Sequence, residues 1–130
     1  MASPKKESIE LLIEQLAFLQ SGGYTPRKDG CSPRLLQDSP SCPNFQRSES
    51  ERTPCAGCEL LRFVPPKDRA EARPCQHIQL NAQKETPEML FFWGTPAEQK
   101  VKLRHWLVNE IFRLTESKRQ QQKQFICDAT

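Results

Sequence analysis

Residues 42–77 read CPNFQRSESERTPCAGCELLRFVPPKDRAEARPCQH and hold four of the six cysteines in the chain. The apolar residues of this stretch follow neither the 3.6-residue period of a helix nor the two-residue period of a strand. Ordering the backbone costs about 1–2 kcal/mol per residue, and a segment so poor in core-forming side chains is not expected to recover that cost by burial. We therefore predict a metal-clamped segment with regular structure on either side of it.

The cysteines of this segment follow the spacing Cys42-x12-Cys55-x2-Cys58-x16-Cys75-x-His77. A Cys-x2-Cys pair, here Cys55 and Cys58, lies on a turn that can direct two thiolates to one edge of a tetrahedral zinc site. Cys42 and Cys75 are predicted to complete the set, with His77 as an alternative ligand or as a neighbour that orients a ligand. Structural zinc contributes about 10–16 kcal/mol of apparent binding free energy, which is enough to order such a segment.

Other uses of the same cysteines stay open on sequence grounds. An iron–sulfur cluster also takes four cysteine ligands, and the step from Cys42 to Pro43 is similar to the cysteine–proline step of a ferredoxin. Disulfides and redox-active thiols are further alternatives, although the Cys-x2-Cys pair lacks the βαβ context of a thioredoxin-like protein. Cys31 and Cys127 lie too far along the chain to be first choices as ligands.

The N-terminal residues favour a cytoplasmic protein, and in that compartment clustered cysteines bind metals more often than they form disulfides. Glu10 and Glu14 interrupt the apolar residues of 9–19, whereas a signal peptide needs an unbroken apolar centre. No stretch of the sequence stays apolar over the length that a bilayer requires. We therefore expect neither export by this route nor a membrane-spanning helix.

Length and charge favour one small domain without a broad surface for nucleic acid. The chain has 130 residues, 36% of them hydrophobic, and its 19 basic and 16 acidic side chains leave a net charge of +3. We predict a single domain over residues 1–116, followed by a polar, frayed tail over 117–130. Nucleic acid is an unfavoured but not excluded partner, and its binding would depend on Lys118, Arg119 and Lys123.

Two amphipathic helices are predicted to flank the cysteine segment. The first begins at Ser3 and Pro4 and ends at the glycine pair 22–23. Its predicted buried face consists of Ile9, Leu12, Ile13, Leu16 and Leu19. Leu11 and Phe18 lie on the opposite side, where they are either covered by the irregular segment or exposed as a partner surface.

The second long helix is the predicted centre of the core. Residues 88–93 fit a strand or a short helix equally well, and Thr95 then starts a capping box with Pro96 at the first helical position. One apolar stripe of the long helix consists of Leu103, Trp106, Leu107, Ile111 and Leu114. A second stripe consists of Val101, Val108 and Phe112. Because apolar residues occupy most of its circumference, this helix is predicted to lie inside the core or in an oligomer interface.

Shorter elements are predicted between these helices. An apolar turn or short helix begins at Cys58 and stops before the proline pair 65–66, and residues 67–72 form a further helical turn. Residues 73–78 then return in an extended form. The sequence carries no nucleophile elbow, phosphate-binding glycine loop or His-Glu-x-x-His motif, and His105 is expected to be a solvated histidine. These observations favour a protein that is not an enzyme.

Four segments resemble a group of short bacterial hypothetical proteins that share a Cys…Cys-x2-Cys…Cys-x-His pattern. The segments are QDSPSCPNF (37–45), CAGCELLRFVPPKDR (55–69), PCQHIQLN (74–81) and WGTPAE (93–98). The resemblance covers roughly residues 8–116 and implies one shared domain but no activity. The residues that match the pattern are Cys42, Cys55, Cys58, Cys75 and His77.

The sequence thus predicts a mainly α protein, in which two long helices pack together beside an irregular, proline-rich, metal-clamped middle segment. Zinc is the expected cofactor, with an iron–sulfur cluster as the alternative. The expected role is a non-catalytic interaction or adaptor module in the cytoplasm. Its partner would be another protein or a second copy of the chain, bound through Leu11 and Phe18 or through the stripe of Val101, Val108 and Phe112.

Overall fold

The computed structural model of the chain describes residues 7–25, 33–39, 42, 44, 50, 55 and 58–128, with side chains up to residue 121. Within these ranges the protein is helical and contains no strand. The three α-helices of these ranges are α1 (Ser8–Gln20), α2 (Pro87–Trp93) and α3 (Pro96–Asp128). Between α1 and α2, short 3-10 helices span Glu59–Phe63, Pro66–Asp68 and Pro74–His77.

The contact between α1 and α3 forms the centre of the core. Leu12 of α1 and Leu103 and Leu107 of α3 are fully buried. Trp106 is also buried, and its ring meets the edge of Phe63 at a centroid distance of 5.3 Å. The remaining residues of the predicted α3 stripe, Ile111 and Leu114, pack against the same core. Two long helices that pack together were predicted, and the structure confirms them.

The buried face of α1 differs from the predicted one. Ile13, which was expected to be buried, is 50% exposed, whereas Leu11 is only 7% exposed and belongs to the core. Of the two alternatives predicted for Leu11, it is therefore covered within the fold and is not exposed as a partner surface. The buried positions of α1 are Ser8, Leu11, Leu12 and Gln15, which still follow the helical period but include two polar residues. α1 begins at Ser8, after extended backbone at Glu7, so the predicted start at Ser3 and Pro4 is wrong. Residues 3–4 themselves lie outside the described residues.

A buried polar cluster explains why Gln15 occupies the core side of α1. The Tyr24 hydroxyl donates to Gln15 Oε1, and Gln15 Nε2 donates to Ser39 Oγ. The backbone N–H of Leu36 donates to the Tyr24 hydroxyl oxygen at 3.0 Å, and Ser39 Oγ donates to the Leu36 carbonyl oxygen at 3.0 Å. Most buried polar groups in proteins are paired in this way. The cluster holds the turn at residues 35–39 against α1.

Local capping signals set the starts of α2 and α3. The Thr86 hydroxyl accepts from the Met89 backbone N–H at 3.2 Å, so residues 87–93 form a helix and not a strand. The Thr95 hydroxyl accepts from the Glu98 backbone N–H at 3.1 Å, as the predicted capping box requires. α3 then continues through Asp128, well beyond the predicted fraying point at residue 117. No helix in the described ranges combines the length and hydropathy needed to cross a membrane.

The middle of the chain contributes more to the core than its sequence pattern predicted. Leu60, Val64 and Ile78 are buried together with side chains of α1 and α3. Residues 74–77 form a 3-10 helix that begins at Pro74, so the predicted extended return of residues 73–78 is wrong. Because consecutive 3-10 turns orient side chains without a fixed long period, apolar residues there reach the core despite having no visible periodicity.

Candidate metal centre

Two of the predicted ligands lie in or directly before neighbouring 3-10 helices. Cys58 immediately precedes Glu59–Phe63, and Cys75 lies within Pro74–His77. These two short helices pack against each other, and both cysteines pack against the same hydrophobic core. Cysteines that are distant in sequence are therefore brought to one region of the fold.

Cys55 reaches this region through a tight turn. The backbone N–H of Cys58 donates to the Cys55 carbonyl oxygen at 3.0 Å, as expected for a Cys-x2-Cys turn. The sulfur of Cys55 lies 4.0 Å from the carbonyl oxygen of Ala72. Because Ala72 is close in sequence to Cys75, this contact places the turn beside the chain that carries the next predicted ligand.

Cys42 is connected to the same region through the turn at residues 35–39. The backbone N–H of Cys42 donates to the Ser39 carbonyl oxygen at 3.1 Å. At the other end of the turn, the Leu35 carbonyl oxygen accepts from Gln76 Nε2 at 2.9 Å. Three separate parts of the sequence therefore converge, namely residues 35–39 with Cys42, the pair Cys55 and Cys58, and residues 72–77.

The electrostatics of Cys75 agree with this convergence. The pKa of the Cys75 thiol is raised to about 12, chiefly by burial and to a smaller extent by charge repulsion from Cys42, Cys58 and Cys55. A hydrogen bond from Gln76 Nε2, at 3.5 Å from the sulfur, acts in the opposite direction. A thiolate at this position thus needs a positive charge nearby.

The four cysteines do not yet form a coordination shell. Over the ranges that the structure describes, no three His, Cys, Asp or Glu side chains adopt an arrangement that could hold a metal ion. The sulfurs can lie too far apart to share a metal ion and still repel one another as thiolates. Coulomb interactions act over several ångströms, whereas a zinc–sulfur bond is about 2.3 Å long. The cysteines are grouped, and ligation would require their sulfurs to move closer together.

His77, the alternative ligand, lies beside α2. Its Nδ1 lies 3.7 Å from Glu88 Oε2 on α2, which is an ion-pair distance when the imidazole is protonated. The predictions for Cys31 and for the side chain of Cys127 concern parts of the chain outside the described residues.

Gln76 is a neighbour of the cysteines that the sequence pattern did not single out. Its side chain is 3% exposed, and its nitrogen contacts both the Leu35 carbonyl oxygen and the Cys75 sulfur. The one sequence feature that could have indicated its role is its position between two candidate ligands, Cys75 and His77. Burial of a glutamine in an irregular segment cannot be read from hydrophobic periodicity.

The predicted partner surface on α3 is exposed, unlike the one on α1. Val101 and Val108 are about half exposed and Phe112 is 67% exposed. Phe92 and Trp93 at the end of α2 are exposed as well. Phe18 of α1, in contrast, packs partly against the core and meets the edge of the Tyr24 ring at 4.9 Å.

The basic residues considered for nucleic acid are engaged in ion pairs. Lys118 Nζ lies 2.6 Å from Glu7 Oε2, and Arg119 lies 3.3 Å from Glu116 Oε1. The side chain of Lys123 is outside the described residues. Lys118 also lines an open groove of about 370 Å³ between α1, the 3-10 helix Glu59–Phe63 and α3, and the charged side chains of this groove are two acidic and two basic residues. This balance of charge does not favour a polyanion.

Comparisons with known proteins add no relative. No protein-family model matches the chain, and neither a curated protein nor a solved structure matches it. The resemblance to short bacterial proteins stays a prediction.

Proposed function

We propose that the protein is a non-catalytic interaction module whose middle segment binds a structural zinc ion through Cys42, Cys55, Cys58 and Cys75. The observation that supports this proposal most strongly is the convergence of three chain segments, each of which carries at least one cysteine. Side chain–backbone contacts and short 3-10 helices hold these segments near each other. A metal ion bound there would link all three segments.

The donor chemistry fits zinc. Four thiolates are a common ligand set for structural zinc, and the Cys-x2-Cys turn supplies two of them from adjacent positions. The divalent cation would also offset the repulsion between the grouped thiolates. Leu60, Val64 and Ile78 already anchor the middle segment to the core, because their side chains are buried. Zinc would therefore add to the stability of the middle segment and need not supply all of its folding energy.

The exposed apolar side chains support the interaction role. The α3 stripe of Val101, Val108 and Phe112 lies on the opposite side of the helix from the buried Leu103 and Leu107. Contiguous apolar surface on a small protein commonly marks a binding site for another protein. In this proposal the zinc site stabilises the fold, and α3 presents the surface for a protein partner or a second copy of the chain.

Metal analysis of purified protein tests the proposal, with Cys58→Ser as the main variant and Cys127→Ser as the matched control. Equimolar zinc is expected in the parent and in Cys127→Ser, with loss of zinc from Cys58→Ser. Thiol counting with and without chelator should show four cysteines that become reactive on metal removal. Iron and acid-labile sulfide in place of zinc would identify the alternative iron–sulfur cluster. Parent protein that contains no metal, and binds none when zinc is added, would overturn the proposal.

A further inference from the structure

Gln76 combines burial, two polar contacts and a position directly after a candidate ligand. Its side-chain amide nitrogen lies 2.9 Å from the Leu35 carbonyl oxygen and 3.5 Å from the Cys75 sulfur. A glutamine amide carries two N–H groups, so one can donate to the oxygen while the other donates to the sulfur. The same side chain therefore touches the candidate ligand and the turn that leads to another candidate ligand, Cys42.

Simple space filling does not account for a glutamine at this position. The side chain is only 3% exposed, and its Oε1 atom has no hydrogen-bond partner among the described residues. A buried polar atom without a partner is destabilising. Methionine has a similar shape and would fill the same space without that cost. The amide nitrogen is the part of the side chain with a specific use.

We propose that Gln76 is a positioning residue of the zinc site, which holds Cys75 in register with the Leu35–Ser39 turn and donates an N–H group to the Cys75 thiolate. This inference rests on the proposed zinc site and adds a residue to it. Groups that hydrogen-bond to metal ligands orient them and change the electron density that the ligand donates to the metal. An N–H···S bond withdraws electron density from the sulfur, and the metal's spectrum reports that change.

Cobalt titration of Gln76→Met, with Gln83→Met as control, tests the inference. Gln83 is exposed, so its replacement changes the same atoms at the protein surface. Apparent metal affinity of Gln76→Met is expected to fall about 10- to 100-fold relative to both the parent and the control. Its sulfur-to-cobalt charge-transfer band should also shift, because the sulfur has lost a hydrogen bond. A residue that only supports the fold would lower affinity without moving the band.

The outcomes separate this inference from the proposed function. Equal affinities and identical bands in Gln76→Met and Gln83→Met overturn the role of Gln76 and leave the zinc site standing. A parent that binds neither zinc nor cobalt overturns both. If Gln76→Met fails to fold, the inference is tested by NMR on the parent protein bound to a spin-½ cadmium isotope. Scalar coupling from the metal to a side-chain amide proton of Gln76 is expected, and its absence overturns the inference.

Discussion

Gln76 Nε2 lies 2.9 Å from the carbonyl oxygen of Leu35, 41 positions earlier in the chain. Both residues belong to parts of the chain without an α-helix. This buried bond thus joins the turn that precedes Cys42 to the 3-10 helix that carries Cys75. Irregular segments of this protein are held by such individual contacts together with buried apolar side chains, and several of these contacts can be tested one at a time.

Replacement of Tyr24 by phenylalanine should destabilise the fold without changing its shape. The variant removes the hydroxyl that donates to Gln15 Oε1 and accepts from the Leu36 N–H, which leaves buried polar groups without these partners. We expect a loss of about 1–3 kcal/mol in the free energy of unfolding. Urea denaturation followed by tryptophan fluorescence measures it. Thr115→Val, which removes an exposed hydroxyl bond to Ile111, is the control, and equal losses in both variants would contradict the role of the buried cluster.

Adjacent residues of α3 should respond very differently to truncation. The side chain of Leu107 points from α3 into the core and is fully buried, whereas that of Val108 is 45% exposed. We expect Leu107→Ala to lower the free energy of unfolding by about 2–5 kcal/mol. Val108→Ala should change it by less than about 1 kcal/mol. Chemical denaturation of both variants makes the comparison, and a large loss for Val108→Ala in dilute solution would indicate that a second copy of the chain covers that face.

The ion pair between Glu85 and Lys102 should make stability depend on pH in the acidic range. Hydrogen bonds from Lys102 and Asn81 hold the pKa of Glu85 below its ordinary value of 4.5. A folded-state pKa below the unfolded one means that the charged carboxylate favours folding. This stability is present above pH 4.5 and is lost as the pH falls through the lower folded-state value.

Denaturation of Glu85→Gln at neutral and acidic pH measures this contribution. The variant should be less stable than the parent at neutral pH, and the two proteins should converge in acid. Glu71→Gln, at an exposed position, serves as the control and should track the parent at every pH. A difference between Glu85→Gln and the parent that stays constant through the acidic range would argue against the ion pair as its source.

Removal of the proposed zinc ion should loosen the middle segment before it disturbs the helices. A chelator is expected to make the protein sensitive to trypsin at Arg62, Lys67 and Arg69, which lie between the Cys-x2-Cys turn and Cys75. The contact between α1 and α3 should persist, because its buried leucines do not depend on the cysteines. Circular dichroism and mapped proteolysis follow the two effects separately. Identical cleavage before and after chelation would contradict a zinc-stabilised middle segment.

Local sequence alone determined the start of α3 and its buried face. The stripe centred on Leu103 and Leu107 has the helical period, and it is buried as predicted. Thr95 places a hydroxyl where the first turn of α3 needs an acceptor. The grouping of Cys55 and Cys58 also follows from their spacing, because two intervening residues suffice for a tight turn. These features depend on residues that are close in the chain, so a sequence pattern contains them.

Only the tertiary structure decided which side of α1 is buried and how the middle of the chain joins the core. Gln15 lies on the core side of α1 and Ile13 is half exposed, because Tyr24 and Ser39 satisfy the Gln15 amide. Gln76 is buried because a carbonyl from a distant turn accepts its N–H. The energy of burying a polar group depends on its partner, and such a partner is selected by the assembled fold rather than by the neighbouring residues.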